Sequence, residues 1–423
     1  LNTDILKGNM AQTIHRAKYI LAEPDLLLEN AAVRVSGNGQ ISEIESLRGR
    51  SPSAGSRVFD WGTAVILPGL VNAHTHLELT HLQNRLLQFD SFTDWISQLI
   101  NQRRPWTQEK FLSSASEGFR LSLASGTTLV GDITSSGIGS DAMRDEGPRR
   151  VVFEETVAFL PAQAGDALAK LRLRFAGANP DVTLMQGVSP HAPYSVSPEL
   201  YKRAAEFARH KGMLLATHAA ETREEIQLLL EGTGDFRDFL GSRDLLPPDW
   251  KPPGLPPVLY LDSLGVLGPF CSLIHCNYLD EESMERILRT GCSVVYCPRS
   301  HGFFGHANHP VRKLLDLGIN VALGTDSLAS NSSLSMIDEM RFLFKARKDI
   351  KPEEILRLAT VNGASALCPG GSLGRLGCGY LADITIVEIP ENLGAQQLLS
   401  KIMEGAGECT ATIVNGKVAW QRQ

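Results

Sequence analysis

The chain has 423 residues, 43% of them hydrophobic and 21% charged, with a formal net charge of -6. That length supports a large core or two domains, and the balance is that of an ordinary globular enzyme. A mildly acidic chain with no long basic run argues against a nucleic-acid surface. No apolar stretch approaches the ~20 residues of a membrane helix, and the N-terminus carries no charged-then-apolar signal pattern. The seven cysteines form no Cys-x-x-Cys pair. Cys271, Cys276, Cys292 and Cys297 sit in apolar surroundings and read as reduced core thiols of a cytosolic protein.

In chain order, the first ~65 residues are rich in strand and turn signals. Ala31–Val35 and Ile41–Ile44 flank a turn at Ser36–Gln40. The last ~50 residues are similar, with strands predicted at Ala382–Val387 and Thr412–Val414 and a hairpin turn at Asn415-Gly416. The middle alternates strands with helices. Predicted strands are Ala64–Leu67, Thr127–Ile133, Val151–Thr156, Thr183–Val188, Leu214–His218, Ser272–His275, Ser293–Tyr296 and Asn320–Leu323. Helices are expected between them, among them Pro198–Lys211, Thr222–Glu231, Asp280–Thr290 and Ser335–Lys348. This alternation makes the fold class α/β and suits a (β/α)8 barrel over residues 67–369. The ends, 1–66 and 370–423, then form one discontinuous small domain. A doubly wound open sheet is the alternative, weakened because no Gly-x-Gly-x-x-Gly follows an early strand. Prolines at 247, 248, 252, 253, 256 and 257 punctuate one connection, expected to be a non-helical lid or contact loop.

Chemistry is expected where polar residues end apolar runs, because barrel active sites lie at the C-terminal ends of strands. Val71-Asn72-Ala73-His74-Thr75-His76-Leu77-Glu78 follows the apolar run Ala64–Leu67 and the turn pair Pro68-Gly69. Histidines two apart on a strand share a face. His218, His275 and Asp326 each close a later run. Any one of these histidines alone reads as a core or surface residue. Together, three imidazoles and a carboxylate suit one Zn²⁺ or Fe²⁺ ion with an open position for water. Glu221 stands three residues after His218, where a helix begins. It is either a capping residue or a carboxyl leaning over the mouth to move a proton.

His74-Thr75-His76, His218 with Glu221, His275 and Gly324-Thr325-Asp326-Ser327 resemble the amidohydrolase superfamily, nearest to its cytosine/adenosine-type deaminase (chlorohydrolase) branch. Pro68–Ala73, Gly379–Ile384 and Ile413–Gly416 are similar to that branch as well. The resemblance implies a distorted TIM barrel with a small β-sandwich from both termini. It implies a metal site of His74, His76, His218 and Asp326, with zinc first and iron or manganese as alternatives. Asp326 would also take the proton of the attacking water, Glu221 would shuttle it, and His275 would orient the nucleophile. The segment Ser189–Tyr194 offers no lysine for a second metal, so one ion is expected. His191 resembles a substrate-contacting histidine; as a bland alternative it is a loop residue bonded to backbone. A homodimer in the cytoplasm is expected on the same resemblance, with Trp106 a candidate for its interface.

The substrate implied is an aminated purine-type nucleoside or analogue. Glu78 in His-x-His-Leu-Glu, and Gly324–Asn331, resemble the 6-aminodeoxyfutalosine deaminases. Glu78 would then meet a ribose hydroxyl or base edge, or else pair with Arg103, Arg104 or Arg299. Arg299 is a further candidate contact, in Cys297-Pro298-Arg299-Ser300-His301. Relatives usually carry Asn where this chain has His301, and His306 and His309 follow closely; all three are either pocket-shaping or plain loop histidines. Phe92, Trp95 and Ile96 have helical spacing and are expected to pack. Two other functions stay open at this point. One is hydrolysis of a different C–N or C–Cl bond, in a guanine-type, s-triazine or cyclic-amide substrate. The other is a barrel kept as a non-catalytic scaffold.

Overall fold

A computed structural model of the protein describes residues 12–46, 56–86, 88–139, 141–142, 147–177, 184–247 and 249–423. Thr183 and Pro248, which belong to an expected strand and to the proline-rich connection, lie outside them. The chain divides into two compact units: Leu1–Val71 with Leu121–Leu129 and Ser335–Gln423, and Asn72–Arg120 with Val130–Leu334. Among the described residues no helix is long and apolar enough to cross a membrane.

The chain opens with β1 (Thr13–Glu23), β2 (Leu26–Val35), β3 (Ile41–Ser46), β4 (Arg57–Asp60) and β5 (Ala64–Pro68). Eight strands follow: β6 (Leu70–Thr75), β7 (Thr127–Thr134), β8 (Arg149–Thr156), β9 (Leu184–Pro190), β10 (Leu214–Ala219), β11 (Cys271–His275), β12 (Ser293–Tyr296) and β13 (Val321–Leu323). The C-terminal strands are β14 (Ile384–Glu388), β15 (Glu408–Val414) and β16 (Lys417–Gln421).

Both termini share one sheet, in the order β16-β15-β14-β5-β1-β2-β3, with β4 on β1. β14 runs antiparallel to β5, and the hairpin β15–β16 turns at Asn415 and Gly416, both at positive φ. That is the geometry an Asn-Gly hairpin turn requires. Ile20, Val33, Ile66, Ile384, Ile386 and Ile413 fill its core at 0% exposure.

The other sheet runs β13-β12-β11-β10-β9-β8-β7-β6 and is a nearly closed parallel barrel. Its strands are buried almost end to end, as strands covered on both faces must be. Helices stop and start where side chains satisfy their free N–H groups: Ser197, Thr222 and Asp280 each accept a backbone N–H from the first turn.

One expectation is corrected. Ala64–Leu67 was expected to be the first barrel strand, but it is β5 of the terminal sheet; the barrel begins at Leu70. Pro68 pairs with Ile384 at the end of β5, and Gly69 N–H is given to the Asp383 carbonyl. Pro-Gly therefore divides one apolar run between two sheets. The connection at 249–256 holds no regular element, and a helix, Pro257–Ser263, starts on its last proline.

The His74 carbonyl accepts N–H from both Thr325 (3.0 Å) and Asp326 (3.1 Å), so the first strand meets the last at the mouth. Gly324 makes that approach feasible. A Cβ there would stand 2.8 Å from the His74 carbonyl oxygen and 3.0 Å from its nitrogen. Gly324→Ala is expected to destabilise by about 1–3 kcal/mol through overpacking, read as a lower denaturant midpoint. An unchanged midpoint would show that the closure is not tight.

Candidate metal centre and active site

His74 lies in β6, and His76 follows it by two positions, beyond the strand's last residue. His218 lies in β10. Their metal-capable nitrogens all fall within 4.8 Å of one another. His76 Nε2 is 3.4 Å from His218 Nε2, and Asp326 Oδ1 is 3.7 Å from His74 Nε2 and 3.9 Å from His76 Nε2. Two ligands on one zinc ion, each about 2.0–2.2 Å from it, stand about 3–4 Å apart. The separations therefore fit a shared cation. His218 Nδ1 is 3.0 Å from the His191 carbonyl, which can only accept, so Nδ1 carries the proton and Nε2 is bare. Both nitrogens of His74 are buried without a hydrogen-bond partner among the described residues. A cation would satisfy Nε2, which otherwise has no reason to face the cluster. Burial favours the neutral form of His76 and His218. It lowers His76 to about 4, with His74 adding to the effect, and pushes His218 well below the usual imidazole value. Neutral imidazole is the form that binds metal.

Asp326 holds a left-handed backbone, φ 57°, unusual for a residue other than glycine. Its Oδ2 accepts from Ser300 Oγ (2.8 Å) and Ser330 Oγ (2.7 Å), and its Oδ1 from Ser327 N (2.7 Å). Burial opposes its ionisation, but His74, His275 and His76 outweigh that and hold the carboxyl well below its usual range. Glu221 behaves oppositely. Burial, then the Asp326 and Glu225 charges, push it well above the usual range, against a hydrogen bond from Tyr194. His275 Nε2 stands 3.4 Å from Glu221 Oε1. Six expected residues thus converge: His74, His76, His218, His275, Glu221 and Asp326.

Three expected substrate contacts fare differently. His191 lines the adjoining cavity and bonds Ser195 Oγ through Nδ1 (2.6 Å), while its Nε2 lies 3.9 Å from Glu155. Glu78 also lines it, but its carboxylate already receives five hydrogen bonds: from Thr134 Oγ1, from N and Oγ of Ser135, and from N and Oγ of Ser136. An ionised carboxylate has about four lone-pair sites. The expectation for Glu78 therefore changes from a substrate acceptor or an arginine's partner to an anchor for the turn after β7. Arg299 donates to Ser332 and Ser333 and is outside the cavity lining. Sequence reasoning also passed over Ser300, Ser330, Asp132 and Glu225. Asp132 Oδ1 accepts Leu77 N (2.8 Å) just past the paired histidines. Glu225 accepts the N–H groups of Ala220 (3.1 Å) and Glu221 (2.8 Å). Glu225 stands three positions after Thr222, the spacing of a capping box, and was the one legible signal among them.

The cavity beside these groups has a volume of about 440 Å³, the size of a small-molecule site. Leu79, Phe159, Leu240 and Leu245 give it an apolar wall. The helix Phe92–Arg103 presents Phe92, Trp95, Ile96, Leu99, Ile100 and Arg103 to it, one face at helical spacing. Trp95 and Phe92 are thus packing residues and cavity wall at once.

A parallel (β/α)8 barrel with histidines and an aspartate gathered at its strand ends defines a metal-dependent hydrolase. The model of the amidohydrolase family matches residues 65–419, and the chain belongs to that family. It is 32% identical over 370 residues to a 5-methylthioadenosine/S-adenosylhomocysteine deaminase of Syntrophobacter fumaroxidans, covering 83% of this chain and 78% of the relative. An adenosine deaminase from Xanthomonas campestris, solved with bound zinc, superposes with a TM-score of 0.79 at 26% identity, over 96% of this chain and 92% of that one. Helicobacter pylori aminofutalosine deaminase, in complex with methylthio-coformycin, shares the fold at a TM-score of 0.84 and 23% identity, over 96% and 99% of the two chains.

The hydroxyls on Asp326 predict a measurable effect. The double variant Ser300→Ala, Ser330→Ala is expected to bind zinc roughly 10–100-fold more weakly, measured by competition with a chromophoric chelator. Parental affinity would show that Asp326 needs no such support.

Proposed function

We propose that this protein is a hydrolytic deaminase that releases ammonia from an adenine nucleoside modified at its 5′ position, using one zinc ion held by His74, His76, His218 and Asp326. The reading is carried by two carboxyls gathered at the mouth beside the histidines and displaced in opposite directions: burial pushes Glu221 well above the usual range, while the imidazoles around Asp326 outweigh burial and hold it well below. Such a divided pair supplies an acid and a base in one site. The names of the relatives support the substrate class, and the apolar wall supports a 5′ substituent with hydrocarbon or thioether character.

When bound, the metal supplies the acidification of water that makes hydroxide accessible near neutral pH. Asp326 directs Oδ1, which also accepts Ser327 N, toward His74 and His76, where it accepts the proton of the attacking water. Glu221 gives its proton to the ring nitrogen next to the carbon under attack, and then helps ammonia leave. His275, pushed by burial well below the usual imidazole value, is neutral and donates from Nε2 to the oxygen that attacks. His191, on the cavity wall, is proposed to contact the base. The hydrolase barrel is proposed to span 67–369, with 1–66 and 370–423 as the smaller β domain. A homodimer in the cytosol is proposed on the family resemblance alone.

Glu221→Gln is expected to keep one equivalent of zinc and to lose roughly 10²–10⁴-fold in kcat. Ammonia release would be followed from adenosine, 5′-deoxyadenosine and 5′-methylthioadenosine, with guanosine, cytosine and an s-triazine as controls. Near-parental turnover in that variant would remove Glu221 from the mechanism. Turnover confined to the controls would remove the adenine-nucleoside reading.

A further inference from the structure

The loop after β12 carries three histidines that the proposed chemistry leaves unused. One of them, His309, ends on the backbone of His275, and another, His301, reaches the backbone of Glu221 through the side chain of Asn277. Asn277 Nδ2 donates to the Glu221 carbonyl at 2.9 Å. That bond fixes the orientation of the amide, because a carbonyl only accepts, and leaves Asn277 Oδ1 as an acceptor. His301 Nδ1 lies 3.0 Å from this Oδ1 and must therefore carry the proton. His309 Nε2 lies 2.9 Å from the His275 carbonyl and must likewise donate. Asn277, His301 and His309 are all buried, and the Tyr296 ring stacks on His309 at 3.8 Å.

The backbone they hold is not in a relaxed conformation. His275 and Cys276 have φ of 71° and 52°, and Ala220, just before Glu221, has 52°. Residues other than glycine stay there only when their surroundings over-determine the chain. The Glu221 N–H goes to Glu225 and its carbonyl to Asn277, so side chains hold both of its backbone groups.

We propose that Asn277, His301 and His309 are positioning residues: Asn277, just after β11 and held by His301, and His309, after β12, together set the separation of Glu221 and His275 by holding both of their carbonyls. This rests on the reading of Glu221 as proton carrier. The role asks of His301 only an N–H at the place of Nδ1. The carboxamide nitrogen of asparagine is the same number of bonds from Cα, so asparagine can supply it and alanine cannot.

The test compares His301→Ala, His301→Asn and Asn277→Asp with the parent and with Glu221→Gln, on the adenine nucleoside the parent turns over fastest. His301→Ala and Asn277→Asp are expected to lose roughly 10–100-fold in kcat, with KM and bound zinc close to parental, and His301→Asn to recover nearly all of the rate. A crystal structure of metal-free Asn277→Asp is expected to show the Glu221 carbonyl turned away from residue 277. Asn277→Asp keeps the size of the side chain and replaces the amide donor with a carboxyl oxygen, so it decides the question if His301→Ala does not fold. Parental kcat in Asn277→Asp, or a His301→Asn enzyme as slow as His301→Ala, overturns the proposal. If Glu221→Gln is inactive while Asn277→Asp and His301→Ala are fully active, the positioning fails and the role of Glu221 stands. If Glu221→Gln is itself fully active, it is the role of Glu221 that has failed.

Discussion

The carbonyl of His74 accepts two backbone N–H groups, from Thr325 and Asp326, and the mouth of the barrel depends on that contact. It joins the first barrel strand to the chain just past the last one, and it brings the carboxylate of Asp326 within 4 Å of two imidazoles from β6 and the residue after it. The approach needs Gly324, since any Cβ would strike the backbone it must meet. Asn72 reinforces the same seam, accepting Thr325 N at 3.0 Å and donating to its hydroxyl at 2.8 Å. A short stretch of ordinary backbone hydrogen bonding thus decides whether Asp326 faces the same point as His74 and His76.

Around that point the protein buries groups that water would otherwise solvate. Several imidazoles and several carboxyls share a region with little exposure, and burying them is tolerable only because each has a designated partner. Hydroxyls and a backbone N–H hold Asp326, five donors hold Glu78, and a backbone carbonyl fixes the tautomer of His218. Among the described residues His74 has neither ring nitrogen hydrogen-bonded, and it lies in the cluster that could hold a metal ion. Burial pushes both Glu221 and Asp326 upward, but at Asp326 the interactions with His74, His275 and His76 outweigh it and the net displacement is downward.

Much of the site was legible because a barrel strand announces its end: an apolar run stops at a polar residue, and His74, His218, His275 and Asp326 each stand at or just past such a stop. The helix starting after Thr222 was legible from its caps. The division at Pro68-Gly69 was not, because β5 and β6 are both apolar and both extended, and periodicity cannot tell which sheet a buried strand joins. Glu78 was legible as a residue facing the pocket. That its oxygens would be filled by Thr134, Ser135 and Ser136 depends on a turn more than fifty residues away. Arg299 was misjudged for the same reason, since Ser332 and Ser333 claim it only once the chain has folded back.

The sequence by itself determined the alternation of strands and helices in the barrel, the polar residues at the strand ends, and with them the family. These follow from local pattern, since side-chain period, capping and the placing of polar residues after apolar runs are properties of neighbours in the chain. Only the tertiary structure decided which carboxyl is pushed up and which down, which serines hold Asp326, and that Asn277, itself held by His301, and His309 end on the carbonyls of Glu221 and His275. Those outcomes depend on burial and on hydrogen bonds between residues distant in sequence, whose partners exist only after the strands have closed into a ring.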